Sequence, residues 1–168
     1  MIIPILKRIT WALLLLTIQV LILNHVHPWG CGAPLLCPLI VITLPMGISR
    51  SAALLWGFCI GLIADIFAGT AGISSAALTF IALVQPPILA FMAPRDSDEE
   101  LYPSFSTMGR WNYFQFVALL LLLHHIVYFA LEGFSYFHFT DIFISMLVSY
   151  LASLILIVLV EHVRNPQK

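Results

Sequence analysis

Asp65, His124, His125 and Glu132 are the residues in this chain whose types suit chemistry. A carboxylate and a histidine in hydrogen-bond reach can move a proton, hold a cation or brace a helix. The wider patterns of catalysis are missing. The chain contains no G-x-S-x-G elbow and no H-E-x-x-H metal pair. His124 and His125 are adjacent, so they lack the i, i+4 geometry of a helical zinc site, and no Cys/His spacing suggests zinc. No catalytic residue, metal or cofactor is expected. A buried or partner-facing histidine pair accounts better for these residues.

The elements that hold these groups are apolar helices. Of 168 residues, 61% are hydrophobic and 9% charged, and the mean hydropathy is +1.04. Soluble domains carry roughly a quarter charged residues, so the chain reads as an integral membrane protein with one polytopic domain over 1–168. A net charge of −1 gives no sign of nucleic-acid binding. Six spans are predicted, at about 9–25, 34–48, 51–69, 73–93, 112–133 and 140–161. The second is short and carries Pro34, Pro38 and Pro45, so a tilted, kinked or re-entrant segment stays open. The first follows Lys7 and Arg8 but lacks a small-x-small cleavage site, and is expected to remain as an anchor.

Charge sets the expected orientation. With the N-terminus inside, Lys7, Arg8, Arg50, Arg95, Arg110, Arg164 and Lys168 all fall on the cytoplasmic side. Both termini are then cytoplasmic. Trp29 fits the outer interface, and Trp111 and Tyr113 the inner one. Cys31 and Cys37 would lie near the outer face, where a disulfide is an option, although small apolar filler is the simpler reading.

Asp65 stands in the stretch Ser51–Gly69, SAALLWGFCIGLIADIFAG, where Gly57, Gly61 and Asp65 recur every four residues on one helical face. Glycines so spaced admit a neighbouring backbone. The turn from Gly69 to Gly72 leads into Ser74-Ser75, and the exposed N–H groups there suit a carboxylate. Asp65 is thus expected to brace the hairpin, with a partner-facing or transport role as the other options. A pair with His125, at about the same height by helical rise, is also geometrically open. Ser145, Ser149 and Ser153 form a second small-residue seam. Gln85-Pro86-Pro87 predicts a kink or early end of the fourth span. The polar loop with Arg95, Asp96, Asp98, Glu99 and Glu100 is either a solvated spacer or a docking surface for a cytoplasmic partner.

GLIADIFAGTAGISSAALTFIALVQPP (Gly61–Pro87) resembles the central motif of the MreD family, the rod shape-determining membrane proteins of bacterial cell elongation. Gly61, Asp65, Gly69 and Gly72 occupy the family's places. PRDSDEEL (Pro94–Leu101), His124-His125 and EGFSYF (Glu132–Phe137) are similar to one branch of it. The resemblance implies an all-α bundle in the bacterial inner membrane, similar in fold to the S-components of energy-coupling-factor vitamin transporters. It implies a non-enzymatic scaffold that grips the transmembrane helix of MreC. Through MreC it would act with MreB, RodA and a penicillin-binding transpeptidase in side-wall peptidoglycan synthesis. The Gly57/Gly61 face and the Ser145/Ser149/Ser153 face are the expected grips, unless they serve internal packing. The alternative is an S-component-like subunit for a vitamin or small solute, although the first span has only Ala12 where such proteins show an Ala-x-x-x-Ala seam.

Overall fold

The computed structural model describes residues 2–26, 32–70, 72–93, 102–133 and 139–164. All regular structure among them is helical. In chain order it comprises α1 (Ile2–Leu21) with a 3-10 turn at Leu23–His25, α2 (Cys37–Ile42), α3 (Arg50–Ala68), α4 (Ile73–Met92), α5 (Phe105–Met108), α6 (Arg110–Gly133) and α7 (Phe139–Arg164). Five helices (α1, α3, α4, α6 and α7) are long and apolar enough to cross a membrane. Their bounds agree closely with five of the predicted spans, except that α1 begins near the N-terminus.

The second predicted span is different. Residues 32–36 have no helical structure, α2 is six residues long, and turns follow from Thr43. Its prolines explain this. Pro38 sits in the first turn of α2, where a missing N–H costs nothing, and Pro45 closes off continuation after the last turn. Every residue of α2 is buried. Irregular backbone survives at membrane depth only inside protein, and this stretch runs through the bundle interior.

α3 and α4 form an antiparallel hairpin. Ser49 starts α3 by accepting from the Ala52 N–H, and Gly69 ends it in the left-handed conformation at φ 69°. α4 runs through Pro86 and Pro87 to Met92, so the early helix end expected at that pair does not occur. Proline's fixed φ is compatible with a helix, and the helix continues although each proline removes an N–H donor and crowds the carbonyl four residues back.

Residues of α1, α5, α6 and α7 meet at one end of the bundle. The Arg8 guanidinium donates to the Tyr102 hydroxyl at 3.4 Å. Arg164 lies over the Trp11 ring at 5.4 Å and pairs with the fully buried Glu161 at 2.9 Å. Tyr113 is buried there against Phe105, at 4.9 Å between rings, rather than at the interface. Trp111 is exposed. The α3–α4 turn and the last turn of α6 lie at the far end.

Candidate functional site

The α3–α4 hairpin is locked by Asp65, which is 3% exposed. Its Oδ1 accepts from the Thr70 hydroxyl at 2.5 Å and the Ser74 N–H at 2.8 Å. Its Oδ2 accepts from the Ser75 N–H at 2.9 Å and the Ser75 hydroxyl at 2.6 Å. Gly72 occupies the N-cap position of α4 and has no side chain to cap with, so Asp65 supplies the cap from the preceding helix. All four acceptor positions of the carboxylate are filled. The sequence's option of an Asp65–His125 pair is therefore not realised.

The glycines have two different jobs. A Cβ on Gly61 would collide with the Ser75 Cα and stand 2.7 Å from the Ser74 carbonyl oxygen; one on Gly57 would stand 2.7 Å from the Leu78 carbonyl oxygen. That face is occupied by α4, so it is a packing seam inside the chain and not a free grip for another helix. Gly69 and Gly72 have open space around them but positive φ, 69° and 82°. They serve the turn.

The serine seam is also covered from within. Ser149 and Ser153 are buried, and Ser145 is partly so. Gly32 packs directly on the Ser149 hydroxyl, and the Leu35 N–H donates to Ser153 Oγ at 2.7 Å. The seam thus receives the non-helical stretch ahead of α2 rather than a partner. From the other side Gln19 of α1 clamps the same stretch. Its Oε1 accepts from the Leu36 N–H at 2.6 Å, and its Nε2 donates to the Pro34 carbonyl at 3.1 Å.

His125 joins this network. Its Nδ1 lies 2.9 Å from the Leu121 carbonyl, which can only accept, so Nδ1 donates there. Nε2 faces Ser153 Oγ at 3.4 Å. His125 also stacks on Phe129 at 6.2 Å and meets Tyr150 edge-on at 5.8 Å.

The polar cluster expected from Asp65, His124, His125 and Glu132 is therefore divided. Only His124 and Glu132 share a surface, the wall of a cavity of about 790 Å³ at the far end of the bundle. His124 is 2% exposed, its Nδ1 has no hydrogen-bond partner, and Tyr128 stacks on it at 6.0 Å. Asp65 stands behind this wall, with its partners Thr70 and Ser74 on the surface.

Arg95, Asp96, Asp98, Glu99 and Glu100 lie outside the described residues, as do Trp29 and Cys31. Cys37 is a buried free thiol and Cys59 is exposed. Among the described residues no group of three or more His, Cys, Asp or Glu side chains could hold a metal ion.

Sequence reasoning passed over Gln19 and named Gln85 only for the prolines that follow it; both are buried. Gln85 donates through Nε2 to the Leu44 carbonyl at 3.0 Å and the Ile42 carbonyl at 3.4 Å, satisfying the end of α2. A glutamine inside an apolar span was the available signal, since its amide needs partners away from water. Glu161 was also missed. No family model, curated protein or solved structure matches the chain.

Proposed function

We propose that this chain is an MreD-like scaffold of the bacterial cytoplasmic membrane, with both termini inside. In this reading it binds the transmembrane helix of MreC and so helps position the wall-synthesis enzymes of cell elongation. One observation carries the reading. The four residues that bear the resemblance, Gly61, Asp65, Gly69 and Gly72, converge on a single interlocked hairpin, Gly61 by close packing, Gly69 and Gly72 by turn conformation, and Asp65 by capping α4. A motif kept for architecture suits a scaffold better than a catalyst.

Because α4 and the 32–36 stretch fill the two small-residue seams, a partner helix needs an outward face. α7 offers the longest. Phe143, Leu147, Leu151, Ile155 and Leu159 project outward at a spacing of four, opposite the buried Ser149, Ser153, Ile157 and Glu161. Such a row is a ridge that can pack into the groove of another helix. The S-component alternative is less well served, since Ala12, its one candidate seam residue on α1, is buried within the bundle.

Co-expression with MreC and affinity purification in mild detergent tests this proposal. Recovery of MreC with the wild-type chain, reduced by Leu151→Trp and unaffected by Leu62→Trp on the exposed face of α3, is the expected result. Failure to recover MreC with the folded wild-type chain overturns it.

A further inference from the structure

Arginines mark one boundary of the bundle. The apolar stretch of α1 starts at Arg8, those of α3 and α6 start at Arg50 and Arg110, and that of α7 ends at Arg164. In a bilayer such a boundary is the level of the lipid headgroups, where basic side chains meet anionic lipid.

Two of these arginines are brought together on aromatic rings. Arg8 lies 5.8 Å over the Tyr102 ring and donates to its hydroxyl at 3.4 Å. Arg164 lies 5.4 Å over the Trp11 ring. Arg8 and Trp11 are three residues apart on α1 and so are neighbours on its surface. Arg164 therefore reaches the same patch of α1 that carries Arg8.

Both guanidiniums keep hydrogen-bonding capacity. A stacked guanidinium engages a ring through its face and keeps the N–H groups along its edge for acceptors. Each has five such donors. Among the described residues Arg8 gives one to the Tyr102 hydroxyl and pairs with no carboxylate. Arg164 gives one to Glu161, and its side chain is 33% exposed. Glu161 offsets the charge of Arg164, whereas that of Arg8 stands uncompensated.

Planar forks of this kind match the oxygens of a phosphate in pairs, where a lysine would act only as a point charge. The residues on the membrane side of the two arginines, Ile9 and Val163, are exposed and apolar, and offer surface to acyl chains. A phosphate that carries such chains therefore fits the patch better than a free one.

We propose that Arg8 and Arg164, held by Tyr102 and Trp11, form a headgroup site for an anionic phospholipid. Its phosphodiester lies between the two guanidiniums and its acyl chains beside Ile9 and Val163. The site goes beyond the scaffold reading, since it needs a bilayer but neither MreC nor a particular orientation of the chain.

The test uses the full chain in detergent micelles, read by native mass spectrometry. It is titrated with phosphatidylglycerol and with zwitterionic phosphatidylcholine of the same chain length. One saturable phosphatidylglycerol is expected, bound about tenfold tighter than phosphatidylcholine. Arg8→Gln is expected to weaken it about tenfold. Arg50→Gln removes the same charge from the same boundary, at an exposed arginine with no stacked ring among the described residues, and is expected to weaken it less than about twofold. The wild-type affinity is also expected to fall about tenfold between roughly 0.05 and 0.5 M ammonium acetate, a readout that needs no variant. Displacement of the lipid by an equal concentration of inorganic phosphate or glycerol phosphate assigns the patch to free phosphate and overturns the proposal. Equal binding of the two lipids overturns it too, as does a loss no greater in Arg8→Gln than in Arg50→Gln, or an affinity that salt does not move.

Discussion

Asp65 and Ser75, ten residues apart on opposite arms of a hairpin, are joined twice. The Ser75 N–H and hydroxyl both donate to Oδ2, at 2.9 and 2.6 Å. This pair of hydrogen bonds from one residue to one carboxylate oxygen fixes where α4 starts relative to where α3 ends. It also places the Gly61 backbone against the Ser75 backbone, where no side chain fits. Capping and close packing are thus one arrangement seen from two sides.

Removing the carboxylate leaves the Ser74 and Ser75 N–H groups without an acceptor in a buried site. Asp65→Ala is expected to destabilise the chain by about 2–4 kcal/mol. Unfolding in mixed detergent and SDS micelles measures it. A change below about 0.5 kcal/mol, the scale of an ordinary surface substitution, would mean that the lock contributes little.

The two classes of glycine separate by substitution. Gly61→Ala forces backbone against backbone and is expected to cost about 2 kcal/mol or more. Gly69→Ala meets open space and incurs only the left-handed conformation, about 1 kcal/mol. The same unfolding assay ranks them, and the reverse order would count against the packing seam.

Ser149 and Ser153 look alike in sequence and differ in the structure. Ser153 receives the Leu35 N–H and faces His125, whereas the Ser149 hydroxyl has no partner. Ser153→Ala is expected to cost about 1–2 kcal/mol, and Ser149→Ala to stay within about 0.5 kcal/mol of wild type. Equal losses would show that the seam acts through volume alone.

Gln19 holds both a donor and an acceptor of the non-helical stretch. Gln19→Leu leaves the Leu36 N–H and the Pro34 carbonyl unpaired and is expected to cost about 2–3 kcal/mol. Hydrogen exchange at Leu36 supplies a local readout, with faster exchange expected than in wild type. Unchanged protection there would assign the hold on that stretch to Ser153 instead.

What could be read in advance was mostly local. The five long helices follow from runs of apolar residues. The Asp65 brace follows from a carboxylate one turn before a glycine turn, with N–H donors nine and ten residues ahead. The second span failed as a helix for a reason its prolines already carried. The occupants of the two seams were not legible, because small residues at a spacing of four look the same whether they face the chain's own backbone or another protein. Ser153 meets Leu35 across 118 residues, and no periodicity reports such a pairing. Gln19 and Gln85 announced that partners were needed without naming them. The division of the polar cluster had the same cause. His124 and His125 are neighbours in sequence, but one faces the cavity and the other faces α7.

The measurement that bears most directly on the proposed function is an affinity pull-down of the tagged chain from its native membranes in mild detergent, read by mass spectrometry. The scaffold reading predicts recovery of MreC, accompanied by RodA or its transpeptidase partner. Recovery of an energising ATPase pair with its membrane coupling subunit, and no wall-synthesis protein, would contradict it and assign the chain to solute uptake.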